Sequence, residues 1–135
     1  MNTNTLVLNN GVRIPQLGLG TWFIDDADAA EAVRAAAKLG YRHFDTAQAY
    51  GNERGVGEGV RTCSVPREEL FVVSKVAAEY KTYEEASRSI DATLAKMGLV
   101  WRATVPHGVH WKMPARPASC GPSAFPTSRS ETWKA

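Results

Sequence analysis

Cysteine is scarce in this chain. Its two cysteines, Cys63 and Cys120, lie far apart and form no metal-ligand spacing. That argues against a disulfide framework or a thiolate metal centre and for reduced thiols of the cytoplasm. The opening Met-Asn-Thr-Asn-Thr has no charged-then-apolar leader, and no apolar run approaches the length of a membrane span. Strong charge of either sign is missing too, since the net charge is +2. Nothing in that balance points to nucleic acid or a membrane surface. These absences lead us to expect a soluble cytoplasmic protein with no metal, nucleic-acid or membrane partner.

Another absence is local. Residues 100–135 contain no leucine or isoleucine, yet hold five of the seven prolines and three of the four tryptophans. Their charge is five basic residues against one acidic, and no helical or strand period runs through them. A segment that forms part of a core does not lose its aliphatic residues in this way. We therefore divide the chain into a folded part, 1–99, and an irregular tail, 100–135. In the tail, Trp101, Trp111 and Trp133 interleave with Arg102, Lys112, Arg116 and Arg129, a pattern that could stack on nucleic acid. Out-of-frame translation accounts for it better. The codons of Trp111-Lys112-Met113-Pro114, read two bases on, force Glu, then Asp or Asn, then Ala. The same shift over 121–128 permits Ala-Ile-Gly-Val-Ser-Asn-Phe. A deletion near 99–101 that also shifted the frame is the expectation.

The first 99 residues are regular. Apolar runs at 5–8 and 12–14 flank Asn9-Asn10-Gly11, a good hairpin turn. A short strand follows at 17–20. Helical spacing over 26–39 places Ala30, Val33 and Ala37 on one side, with Gly40 as the stop. A strand at 43–45, a short helix at 52–61 and a strand at 70–76 come next. Thr82-Tyr83-Glu84-Glu85 is a capping box that opens a helix running to Met97, ended by Gly98. Strand and helix alternating through short links predict a parallel α/β sheet.

The chemistry concentrates in 42–53, which reads Arg-His-Phe-Asp-Thr-Ala-Gln-Ala-Tyr-Gly-Asn-Glu. It closes a short apolar run with Asp45 and places Tyr50 five residues later. Lys75 then follows the apolar run Leu70-Phe71-Val72-Val73. A phenol works as an acid near neutral pH only with a cation beside it. Lys75 could supply the cation, and Asp45 could hold it. Taken singly, each residue has a plainer reading. Asp45 would be a turn or helix cap, Tyr50 a half-buried packing residue, and Lys75 a solvated charge. Trp22 would be loop packing, Asp25-Asp26 a helix start, and Arg42 an ordinary ion-pair partner.

Four segments in order resemble the aldo-keto reductases. Asn9-Asn10-Gly11-Val12-Arg13-Ile14-Pro15 is similar to that family's opening hairpin. Leu17-Gly18-Leu19-Gly20-Thr21-Trp22 is similar to its first barrel strand and cofactor-side loop. The stretches 42–53 and 72–75 are similar to its two catalytic strand ends. The similarity of motifs runs from about Leu6 to Leu99. It implies an incomplete (β/α)8 TIM barrel with an N-terminal β-hairpin, because such barrels take about 250 residues.

The resemblance also implies NADPH-dependent reduction of aldehydes or ketones. Asp45, Tyr50 and Lys75 would be catalytic, with Tyr50 the proton donor. Gly20, Thr21, Trp22 and Asp45 would contact the cofactor, and Trp22 and Tyr50 the small carbonyl substrate. The family's further active-site histidine has no assigned counterpart, since neither His107 nor His110 ends an apolar run. We therefore expect a truncated form with little or no turnover. The alternative is a non-catalytic remnant that binds a protein partner through an open barrel edge.

Overall fold

The computed structural model describes residues 4–100. The readings of the tail, its irregularity and shifted frame included, fall on 101–135, outside the described residues.

Two short strands begin the fold, β1 (Thr5–Val7) and β2 (Arg13–Pro15), antiparallel with Leu6 opposite Ile14. Their turn closes through Gly11, at φ +82°, and through Asn10 Oδ1, which accepts from the Val12 N–H at 3.1 Å. Three βα units follow. They comprise β3 (Leu19–Gly20), α1 (Asp26–Lys38), β4 (His43–Asp45), α2 (Glu53–Thr62), β5 (Phe71–Val73) and α3 (Tyr83–Met97). The last three strands are parallel, in the order β3-β4-β5. Short helix-strand links force this arrangement, because each helix must cross back over the sheet. No described helix is long and apolar enough to cross a membrane.

The helices match the predicted spans to within a residue. The capping box is present, with Thr82 Oγ1 accepting from the Glu85 N–H and Glu85 Oε2 accepting from the Thr82 N–H. Two strands are shorter than predicted. The run 17–20 ladders only over Leu19–Gly20, and 70–76 only over Phe71–Val73. Pairing needs a partner, and β4 offers only three residues on which either neighbour can ladder.

The core lies between this sheet and its helices. Phe44 is fully buried against Ala29, Val33, Ala37, Val56, Val60 and Met97. Burying a side chain of this size stabilises the fold by about 1.5–3 kcal/mol. Alternation along β4 then directs His43 and Asp45 to the opposite face. His43 Nδ1 lies 3.1 Å from the Pro15 carbonyl oxygen, which ties the hairpin to the start of β4.

Helix α2 carries three glycines, a composition that disfavours a helix by about 1 kcal/mol per glycine. Packing explains them. A methyl on Gly55 would collide with the Asp26 carbonyl of α1, and one on Gly57 with the Met97 carbonyl of α3. On Gly59 it would lie 2.6 Å from Val33 Cβ and 2.8 Å from the Ala30 carbonyl oxygen. Gly55 and Gly59, one turn apart, thus let α1 approach closely. Asp26 reinforces the contact by accepting from the Gly55 N–H at 2.7 Å and from the Arg54 guanidinium. It therefore does more than start a helix. Gly59→Ala is expected to destabilise the chain by about 1–3 kcal/mol through overpacking, outweighing a propensity gain of about 1 kcal/mol. Urea unfolding of the two forms measures the difference.

Candidate active site

The sheet register aligns the site. Gly20 stands opposite Asp45, and Asp45 opposite Val73, so the three strands end level with one another. The ladder continues past those ends. The Thr21 N–H donates to the Asp45 carbonyl at 2.9 Å, the Thr46 N–H to Val73 at 2.8 Å, and the Gln48 N–H to Lys75 at 3.2 Å. Three loops leave this level side by side, carrying Thr21-Trp22, Thr46 to Tyr50, and Ser74-Lys75.

Lys75 is the centre of the cluster. Its Nζ donates to Asp45 Oδ2 at 2.5 Å, to the Thr46 carbonyl at 3.1 Å and to Tyr50 Oη at 3.5 Å. It also stands 5.2 Å from the centre of the Tyr50 ring. An ammonium has three protons, and three acceptors are in place for them. Partial burial works against the charge of Lys75. The hydrogen bonds to Asp45 and Tyr50, with the negative charge of Asp45, outweigh that and raise the lysine pKa above its ordinary value. The group is a fixed cation at neutral pH, which suits it to electrostatic work and not to nucleophilic or basic work.

Tyr50 ends a single 3-10 turn, Gln48–Tyr50, and the chain then reverses through Gly51 at φ +72°. Its ring stacks near-parallel to Trp22, with centroids 6.1 Å apart, and Trp22 stacks on Phe23 at 4.7 Å. Trp22 is 65% exposed and Phe23 88% exposed. Gly20 borders open space, since a methyl there would meet nothing within 4 Å. Thr21 differs from the others. It is fully buried, and its hydroxyl donates to the Asp45 carbonyl at 3.1 Å. The structure thus brings Asp45, Tyr50, Lys75, Gly20 and Trp22 to one face, with Thr21 as scaffold beneath them. Arg42 pairs with Glu69 at 3.8 Å, the ordinary role foreseen for it.

Sequence reasoning missed a belt of buried polar residues under this face. Asn52 Oδ1 accepts from Thr46 Oγ1 at 2.7 Å, and its Nδ2 donates to the Thr21 and Ile24 carbonyls at 2.8 Å each. Glu53 Oε1 accepts from Ser74 Oγ at 2.7 Å and from Thr93 Oγ1 at 2.9 Å. Gln48 accepts from the Ala77 N–H and donates to Ser89 and Thr93. Glu53 opens α2, where an acid normally reads as an exposed partner of the helix dipole. Partners as distant in sequence as Thr93 leave no local signal. A separate concavity, lined by Arg13, Lys38, Arg42, Glu69 and Phe71, holds none of these residues.

The raised lysine pKa gives a signed pH dependence. The stabilising contribution of the Lys75–Asp45 pair is fully present below the ordinary lysine pKa. It is lost as pH rises through the raised, folded-state value. Lys75→Met is expected to flatten that part of the stability profile, read by urea unfolding between neutral and strongly alkaline pH.

Comparison with known proteins agrees with this geometry. The sequence profile of the aldo/keto reductase family matches residues 16–135, beyond the last of the recognisable motifs. A 9,11-endoperoxide prostaglandin H2 reductase of Trypanosoma cruzi is 45% identical over 111 residues, covering 82% of this chain and 38% of that protein. A glycerol 2-dehydrogenase (NADP(+)) of Saccharomyces cerevisiae is 45% identical over 98 residues, covering 73% and 31%. The crystal structure of an aldo/keto reductase from Brucella melitensis superposes with a TM-score of 0.71 at 41% identity, over 73% of this chain and 38% of that one. The chain therefore spans well under half the length of these relatives.

Proposed function

The chain belongs to the aldo/keto reductase family, and we propose that its site is built for NADPH-dependent reduction of a small aldehyde or ketone. The observation that carries this reading is the Asp45–Lys75–Tyr50 cluster at the ends of three adjacent parallel strands. The residues fit a nicotinamide cofactor. Exposed Trp22, open Gly20 and the Asp45 carboxylate border one face, and Thr21 supports the loop that carries Trp22. When bound, the reduced nicotinamide supplies the hydride. Relatives whose names specify NADP favour the phosphorylated form.

The residues of this chain handle the proton. As the carbonyl carbon gains hydride, its oxygen takes the proton of Tyr50, forming the alcohol and leaving a phenolate. Lys75, 3.5 Å away, stabilises that developing negative charge. Asp45 keeps the ammonium in place, and Trp22 walls the substrate beside Tyr50. Turnover by the chain itself is slow on this reading. His43, the one described histidine, is engaged with the hairpin and does not join the cluster. Each of β3 and β5 also has a single strand neighbour among the described residues. Those same edges motivate the second reading, a non-catalytic module that binds a protein through an open strand.

The test is NADPH oxidation, followed at 340 nm, with glyceraldehyde and excess protein. A slow, saturable loss of absorbance is expected, falling about 100-fold or more in Tyr50→Phe. Equal rates in the two proteins would remove Tyr50 as proton donor. Concentration-dependent assembly in ultracentrifugation, with no NADPH binding, would favour the binding module instead.

A further inference from the structure

Asn52 and Glu53 are adjacent in sequence and almost wholly buried, at 0% and 2% exposure. The side-chain bonds and ion pair of the two go to Thr46, Thr21, Ile24, Ser74, Thr93 and Lys96 and not to Tyr50 or Lys75. A buried carboxylate is costly unless its charge is compensated. The compensation here is uneven. Glu53 Oε1 accepts two hydroxyls, whereas Oε2 has no hydrogen bond and faces Lys96 Nζ at 3.6 Å. An apolar residue of similar volume would fill the space without that cost. What the carboxylate does hold is specific. One hydroxyl is that of Ser74, the residue immediately before Lys75, and the other is that of Thr93 on α3. Asn52 works on the other flank. It holds Thr46, whose carbonyl accepts a hydrogen bond from the Lys75 ammonium, and the Thr21 and Ile24 carbonyls, which bracket Trp22.

We propose that Asn52 and Glu53 are a positioning pair for the reductase site: Glu53, through Ser74, fixes the backbone from which Lys75 projects, and Asn52 fixes Thr46 and the Trp22 loop. The assignment rests on the reductase reading for its purpose, but its geometry can be tested apart from turnover. Lys75 reaches Asp45 and Tyr50 from a loop two residues past β5, where a single backbone bond, from the Gln48 N–H to its own carbonyl, still ties it to the neighbouring loop. The Ser74–Glu53 bond is the side-chain restraint added there. Tyr50 and Asp45 face the ammonium directly, so its protonation reports whether it is correctly seated.

The experiment compares Ser74→Ala with Thr93→Val in the full chain. Each removes one hydroxyl from the same oxygen of Glu53, but only Ser74 is covalently joined to Lys75; Thr93 reaches it only through Gln48, which keeps its bond to the Ser89 carbonyl. The titration of Lys75 is followed by NMR of its 13C-labelled ε-carbon, assigned with Lys75→Met, with no cofactor or substrate present. In Ser74→Ala the lysine pKa is expected to fall back toward the ordinary value, and in Thr93→Val to stay raised. Ser74→Thr, which keeps the hydroxyl, should restore it. Should Ser74→Ala not fold, Ser74→Cys, close in volume and a weak donor, carries the same expectation. An unmoved Lys75 in the serine variant, or equal movement in both, would overturn the proposal and leave Glu53 a packing residue. Failure here with Tyr50-dependent reduction intact removes only the positioning role. The expected titrations without reduction remove only the reductase reading.

Discussion

Everything at the candidate site depends on the level alignment of Gly20, Asp45 and Val73 across three parallel strands. Strand pairing has a side-chain period of two, so a slip of one residue in β4 would turn Asp45 into the core and Phe44 out of it. Phe44 prevents that slip. Its complete burial against the helices makes only one register affordable, and that register delivers the carboxylate to the opposite face. The Lys75–Asp45 pair is a consequence of this alignment and not its cause. Half-exposed ion pairs contribute little to stability, at most about 1 kcal/mol. The fold holds the pair together, and the pair then sets the electrostatics beside Tyr50.

Beyond the strand ends a different principle operates. The ladder runs out within two residues, and side chains take over the alignment of the loops. Asn52 spans the loop after β3 and the loop after β4, while Glu53 joins the loop after β5 to α3. The bonds made by Asn52 and by Glu53 Oε1 favour one arrangement, because breaking them leaves a donor or acceptor unpaired in a low-dielectric interior. Apolar contacts would tolerate small shifts that these bonds do not. The tight α1–α2 approach through Gly55 and Gly59 serves the same end, since it fixes the start of α2, and with it Asn52 and Glu53, beside the start of α1.

Much of this was legible in the sequence. All three helices were read, the first from its periodicity, and so was the short strand that ends in Asp45. The capping box at Thr82 and the stop at Gly98 were read directly, because their chemistry is local. Strand lengths were not. The apolar run through Val76 looked like one strand, but a run of suitable residues cannot ladder where its neighbour has ended. The packing role of the α2 glycines was not legible, because it depends on α1 and α3 pressing against them. The roles of Gln48, Asn52 and Glu53 were hidden for a related reason. Apart from Thr46, their partners lie between 21 and 45 residues away in sequence, and a polar residue at the start of a helix looks solvated from its neighbours alone.

Phe23 marks the place where local cost and site geometry meet. It holds φ at +62°, a conformation that disfavours a bulky residue by about 1–3 kcal/mol. It also exposes nearly all of its ring. Neither property stabilises the chain. The gain is at Trp22, whose indole lies near-parallel to the phenyl ring on one contact and to the Tyr50 ring on another. Stacked aromatic contacts contribute about 0.5–1.5 kcal/mol each beyond burial. Two of them are of the same size as the strain, and they place the indole between the Phe23 and Tyr50 rings. A freely turning Trp22 would leave Tyr50 without a defined wall, whereas a stacked one presents the same surface continuously. The loop after β3 is thus kept in a strained form in which the indole stands beside Tyr50.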